Sequence, residues 1–334
     1  MIDKYDLYFM DSYQKEDLER LKSMQYDLFI SAYNEELMVS EIFDLVNAEK
    51  KVWIIFPDYK YENIDLLDSL SHTVKNYTHV KTDINDLEKN IIDAFLEDIN
   101  FITDYKDKKI CIDITGFVKP YMIYLMLYLK SFNFSSFDIL YSEPKLYSKR
   151  EETNFSQEEI IKTRTINGFD LRTDEGDDDL FIINAGYDHK LIRSVGSWKI
   201  PVDKQKILIG FPSLQPIMFQ ENILNLHLAS DELELQASNF NPLLAPANDP
   251  FETAKVINDY IDHYLNKKKN VKNIYLAPIG TKPQALGIFL FCILEEERLE
   301  EKDINLKIVY PFTKSYSTSA GKELFKVNKY TLEF

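Results

Sequence analysis

The chain has 334 residues, 45% hydrophobic and 13% aromatic with only 9 glycines, enough apolar mass for one large or two ordinary domains and unlike collagen, linker or disordered sequence. Its 55 acidic residues against 39 basic ones give a net charge of −16, which opposes binding to the backbone of a nucleic-acid duplex; the run Lys267-Lys268-Lys269 reads as a solvated loop. The longest apolar runs, Tyr121–Leu129 and Gly287–Leu294, are too short to span a bilayer, Met1–Tyr13 has no signal-peptide pattern, and Cys111 and Cys292 both lie in apolar runs, so a cytoplasmic, acidic, membrane-free protein is expected.

In chain order, Asp27-Leu28-Phe29-Ile30 is predicted to be a buried strand, followed by the polar loop Ser31-Ala32-Tyr33-Asn34. Apolar residues at Leu37, Val39, Ile42, Phe43, Leu45 and Val46 predict a helix over 35–48. A strand over Lys51–Pro57 comes next, then a helix over 87–99 with its stripe at Leu87, Ile91, Ile92, Phe95 and Leu96. Ile110–Ile114 reads as a strand that runs into Thr115-Gly116, and Lys119-Pro120 opens the next helix. Asp138–Tyr141 is a further strand.

The same series then returns. Asp179-Leu180-Phe181-Ile182 repeats Asp27–Ile30 and is followed by Asn184-Ala185-Gly186-Tyr187-Asp188. Lys206–Pro212 matches Lys51–Pro57, and Ile274–Thr281 with Lys282-Pro283 matches Ile110–Gly116 with Lys119-Pro120. Lys307-Ile308-Val309-Tyr310 parallels Asp138–Tyr141. Four matches in one order imply internal duplication. Strands alternating with helices imply parallel pairing through right-handed crossovers. The expected fold is α/β, with two tandem Rossmann-like units, each with a mainly parallel sheet, over residues 1–147 and 179–334. Residues 148–178 form a linker or edge hairpin. Its acidic cluster Asp174–Asp178 lacks the ligand spacing of a Ca²⁺ loop and reads as a turn at Gly176.

Open parallel sheets bind ligands beyond the carboxyl ends of their strands. Ile279-Gly280-Thr281-Lys282-Pro283 places a glycine, a helix cap and a cation where unpaired helix N–H groups favour anions. Thr115, Gly116, Lys119 and Pro120 are assigned the same roles in the first half, so each junction is a candidate phosphate cradle, although neither is a P-loop or GxGxxG motif. Tyr33, Asn34, Asn184, Tyr187 and Asp188 complete the candidate ligand-binding set, Asn34 and Asp188 being equally suited to helix capping. Glu35 and Ser213 also fall at predicted strand ends, and Asp113, inside an apolar strand, needs a hydrogen-bonding partner. Glu143, Asp188 and Glu221 are the candidate catalytic carboxylates. Gln220 and Asp249 lie in two segments of the second half, Phe211–Asn222 and Ala245–Ala254, that have no evident first-half copy. The five histidines form no HxH or HExxH pattern, no GxSxG elbow is present, and neither a metal nor a cofactor is expected.

Asp113-Ile114-Thr115-Gly116 with Lys119, and Gly280-Thr281-Lys282, resemble the strand-to-helix junctions of CARF domains and the related SAVED domains, ligand sensors of prokaryotic CRISPR and antiphage systems. The resemblance implies paired Rossmann-like units that bind a cyclic oligonucleotide in a shared cleft, with a separate effector protein as partner. The leading expectation is therefore a sensor or regulatory subunit that binds a small phosphate-bearing ligand. The alternatives are a nucleotide- or nucleoside-processing enzyme of hydrolase or glycosidase type, and a non-catalytic structural interaction subunit.

Overall fold

The computed structural model describes residues 4–7, 9–57, 59, 61, 73–76, 83–147, 160–169, 174–233, 241–316 and 321–333. The protein is α/β and divides into two units, each assembled from non-adjacent stretches. The first unit comprises Leu7–Gln157 with Ser315–Phe334, the second Met1–Asp6 with Glu158–Lys314.

In the first unit the elements are β1 (Phe9–Gln14), α1 (Leu18–Lys22), β2 (Gln25–Ala32), α2 (Leu37–Leu45), β3 (Asn47–Ile55), β4 (Thr73–Asn76), α3 (Leu87–Asp98), α4 (Phe101–Tyr105), β5 (Ile110–Asp113), α5 (Lys119–Ser131) and β6 (Ser136–Tyr147). The second unit contains β7 (Ile160–Thr165), β8 (Leu180–Ala185), α6 (His189–Gly196), β9 (Gln205–Gly210), α7 (Met218–Leu233), β10 (Leu243–Ala245), α8 (Pro250–Leu265), β11 (Asn273–Pro278), α9 (Lys282–Glu300) and β12 (Asn305–Thr313). The chain ends with β13 (Gly321–Glu333), which belongs to the first unit.

The first sheet has the order β1-β13-β6-β5-β2-β3-β4 and the second β10-β9-β8-β11-β12-β7. Five strands of each are parallel, and they run in the same order: β6-β5-β2-β3-β4 in one, β12-β11-β8-β9-β10 in the other. Pairing registers agree where the repeated motifs align. Leu28 faces Ile110 as Leu180 faces Ile274, and Cys111 faces Asp138 as Tyr275 faces Lys307. β4 and β10 occupy matching edge positions, so the Ala245 segment begins from a strand with a first-unit counterpart, which sequence comparison missed.

Each sheet is extended by an antiparallel strand remote in sequence from the strand it pairs with. β7, which follows β6 in sequence, pairs with β12, and β13, which follows β12, pairs with β6. β1 pairs with β13 in turn.

The repeated Asp-Leu-Phe-Ile motif has a physical role in both units. Its leucine, phenylalanine and isoleucine are fully buried. Its aspartate fastens the start of the neighbouring strand: Asp27 accepts from the Lys109 N–H at 2.7 Å, and Asp179 from the N–H groups of Lys272 and Asn273, both at 2.8 Å. Asp178 accepts from the Asn270 N–H, and Lys268 beside it holds its carboxyl below the usual range. The acidic cluster thus closes turns, and no group of metal-ligating side chains occurs among the described residues.

The core of the first unit centres on Phe29, Phe43 and Trp53, the last two stacked at 3.7 Å. In the second unit Phe181, Trp198 and Tyr275 meet edge to face. Full burial of such a ring is worth roughly 2–3 kcal/mol. α9 is buried at every position from Pro283 to Cys292, as expected of a helix apolar on all faces. Near its other end, the buried Glu295 carboxylate accepts from Tyr5 Oη at 2.7 Å and pairs with Lys4 and Arg298, tying residues 4 and 5 to the second unit. No described helix is long and apolar enough to cross a membrane.

Several expected boundaries change: β3 runs from Asn47 to Ile55 rather than Lys51 to Pro57, and β6 extends from Ser136 to Tyr147. The helix expected over 35–48 is the shorter α2, because β3 already begins at Asn47 and pairs there with Gln25. Within the expected linker or edge hairpin of residues 148–178, the described edge strand is β7, Ile160–Thr165.

Candidate functional site

In both sheets the strand order reverses beside the first parallel strand, between β2 and β5 in one unit and between β8 and β11 in the other. Connections diverge there, and the carboxyl ends of those strands are where a ligand crevice forms in open α/β sheets. Asn184, near the end of β8, lies directly opposite Pro278, the end of β11. Asp113, the end of β5, lies opposite Ser31 of β2.

At the second unit's junction, Thr281 caps α9 by accepting from the Gln284 N–H at 3.3 Å, and its hydroxyl donates to the Ala247 carbonyl. Lys282, half-buried, is the first residue of α9, and Pro283 is the second. Gln284 is almost fully buried and donates to the Ala245 carbonyl at 3.3 Å. Asn184 is fully buried, accepts from the Gly280 N–H at 3.1 Å and donates to Gln284 Oε1 at 3.1 Å. A Cβ on Gly280 would lie 2.3 Å from Asn184 Oδ1, so this glycine makes room for Asn184. Asn184 and Gly280 therefore build the junction from within, leaving Lys282 and the first turn of α9 as its anion-attracting part.

The other flank is formed by the β8–α6 loop and the start of α7. Asp188 caps α6, its Oδ1 accepting from the N–H groups of Lys190 (3.0 Å) and Leu191 (3.3 Å). Burial pushes the Tyr187 phenol well above its ordinary pKa, and the Glu221 carboxylate beside it adds to the effect, so Tyr187 stays a neutral donor. Asn222, 4% exposed, donates to the Ala185 carbonyl at 3.2 Å. Asp249 caps α8, accepting from the Phe251 N–H at 2.9 Å, and Ser213 donates to the Gln215 carbonyl. Gln220 lies in the first turn of α7.

The first unit's junction is built differently from its expected form. Thr115 is not a helix cap: its hydroxyl donates to Asp113 and accepts from the Ser142 N–H at 2.8 Å. Asp113 also accepts from Ser31 at 3.1 Å and from the Thr115 N–H at 2.9 Å, which supplies the partners its burial demands. The cap of α5 is Val118, which offers no side-chain acceptor, and half-buried Lys119 follows as the first helical residue, with Pro120 second. Gly116 passes against the Ala32 carbonyl and accepts from Tyr59 Oη at 2.9 Å.

Tyr33, 2% exposed, belongs to the core against Trp53 and stacks on Tyr61; burial, with Glu35 nearby, raises its pKa. Asn34 accepts from the Glu36 N–H at 3.2 Å in a turn ahead of α2 and does not cap that helix; Glu35 between them has φ 60°. Glu143, a candidate catalytic carboxylate, is 2% exposed and tied to β13 by Asn328 Nδ2 at 2.6 Å and Lys326 Nζ at 3.2 Å.

The expected residues at the second unit's junction thus gather at one strand end, whereas Tyr33 and Glu143 are absorbed by core and sheet. Sequence reasoning missed Asn222 and Gln284. Thr281-Lys282-Pro283-Gln284 has the Thr-x-x-Gln spacing of a capping box, which marks Gln284 as part of the junction. Asn222 carries no such local signal.

No protein-family model matches this chain, and no curated protein matches it.

Proposed function

We propose that this chain binds a small phosphate-bearing, nucleotide-like ligand at its strand-to-helix junctions and serves as a sensor or regulatory subunit. The observation that carries the reading is the equivalent placement of Lys119 and Lys282. Each is the first residue of the helix that leaves the strand next to the order reversal, and each is followed by proline. Two cations at matching junctions, beside helix N-terminal N–H groups, favour anionic ligands. Identical order of the parallel strands, with matching registers, supports descent of both units from one duplicated Rossmann-like element. The sensor role, the antiphage setting and a separate effector rest on the resemblance to CARF and SAVED domains.

The enzyme alternative narrows to one group. Asp188 caps a helix and Glu143 pairs within a sheet, whereas Glu221, in the first turn of α7, adds its charge to the field at Tyr187.

The test is ligand-induced thermal stabilisation with nucleoside mono-, di- and triphosphates, NAD and cyclic oligonucleotides. At least one class is expected to raise the Tm. Lys119→Ala and Lys282→Ala are each expected to weaken that ligand about ten-fold or more, roughly 1.4 kcal/mol or above, and the double variant to abolish the response. No response to any compound, or an unchanged response in the double variant, overturns the proposal. Turnover that disappears in Glu221→Gln would establish the enzyme reading instead.

A further inference from the structure

Asn222 is the buried polar group that the fold itself leaves unanswered at this strand end. Its amide nitrogen donates to Ala185, the last residue of β8, while Oδ1 has no hydrogen-bond partner although the residue is only 4% exposed. A buried acceptor without a donor is disfavoured, and either an ordered water or a donor from a bound molecule answers it. The neighbouring residue, Glu221, is half-buried and brings a second acceptor to the same turn of α7. β8 and β11 are adjacent, so the flank that bears these acceptors adjoins the junction that carries Lys282. A molecule that satisfies both must be anionic at one end and rich in hydrogen-bond donors at the other.

Building on the proposed phosphate-binding role, we infer that the second unit takes a pentose phosphate, with Lys282 at the phosphate and Asn222 and Glu221 accepting from the two vicinal ring hydroxyls. The sugar phosphate is either free or part of a ribonucleotide. A cis-diol offers two hydroxyl donors, one for each acceptor.

Calorimetric titration with inorganic phosphate, ribose 5-phosphate, 2-deoxyribose 5-phosphate, AMP, dAMP and phosphoethanolamine tests this. Ribose 5-phosphate, AMP or both are expected to bind at least ten-fold more tightly than their 2-deoxy counterparts. Preference for AMP over ribose 5-phosphate identifies a nucleotide as the source, and the reverse a free sugar phosphate. Asn222→Leu should bring the ribo-to-deoxy ratio close to one while inorganic phosphate binds as before, whereas Lys282→Ala should weaken every phosphate ester. Asn222→Ser, a smaller change at the same position, repeats the measurement if the leucine variant fails to fold. Three results overturn the inference while leaving the phosphate-binding role intact: equal ribo and deoxy affinities, a ratio that survives at position 222, or tighter binding of phosphoethanolamine. Failure of every phosphate compound to bind removes the role itself, and the inference with it.

Discussion

Gly116→Ala is expected to destabilise the first unit by about 3 kcal/mol or more. A Cβ at this position would lie 1.8 Å from the carbonyl oxygen of Ala32 and 2.8 Å from its carbonyl carbon. Overpacking usually costs about 1–3 kcal/mol, and the upper end applies here because the obstacle is the backbone of a central strand and cannot rotate away. The two tryptophans make the measurement selective, since Trp53 lies in β3 of the first unit and Trp198, half-buried, packs against Phe181 of the second. In a Trp198→Phe background, the fluorescence transition in guanidinium should move to lower denaturant for Gly116→Ala. A shift equivalent to less than about 0.5 kcal/mol, the range of an inert surface change, would show that the loop yields without strain.

Asp179→Ala is expected to cost about 3 kcal/mol, and the matching change Asp27→Ala only about 1 kcal/mol. Asp179 is 2% exposed and answers the N–H groups of Lys272 and Asn273 together with the Asn273 side-chain amide. Its loss strands buried donors, each worth about 1–3 kcal/mol when left unpaired. Asp27 answers the Lys109 N–H, and its ion pair with Lys108 at 3.7 Å is solvent-exposed and contributes little. The comparison is made by chemical denaturation, Asp179→Ala followed through Trp198 and Asp27→Ala through Trp53. Equal losses would mean that the two aspartates act through something other than the backbone groups they bind.

The alternation of strands and helices was legible in the sequence because buried parallel strands are continuous apolar runs, and Leu28–Ile30 and Leu180–Ile182 are fully buried. Register was readable wherever a motif carried its own anchor. The Ile110 and Ile274 segments pair at equivalent positions, but the match of Lys51 to Lys206 is one residue out, Lys51 lying opposite Phe29 and Lys206 opposite Ile182. β4 is only four residues long and β13 pairs with a strand far away in sequence, so neither leaves a local signature. For the candidate site, position was easier to read than direction. Thr115 and Asn184 do fall near strand ends, whereas Glu143 lies within β6, which runs on to Tyr147; each turns its side chain inward to hydrogen bonds made by residues remote in sequence. A side chain's exit from a strand depends on alternation and on which partners the fold brings near, and only the first of these is written locally. Asn222 stayed hidden for the same reason, since its partner at Ala185 lies 37 positions away.

The exchange of antiparallel strands has a bearing on how the molecule comes into being. A nascent chain that has passed Gln157 has already made β2 to β6, yet the long edge of β6 and the whole of β1 still lack β13, which emerges only after Lys314. The unit whose parallel strands are made first is thus completed only after those of the other. A polypeptide stopped at Gln157 would expose an unpaired strand edge of the kind that invites aggregation, and adding a separate peptide of residues 315–334 should mend it.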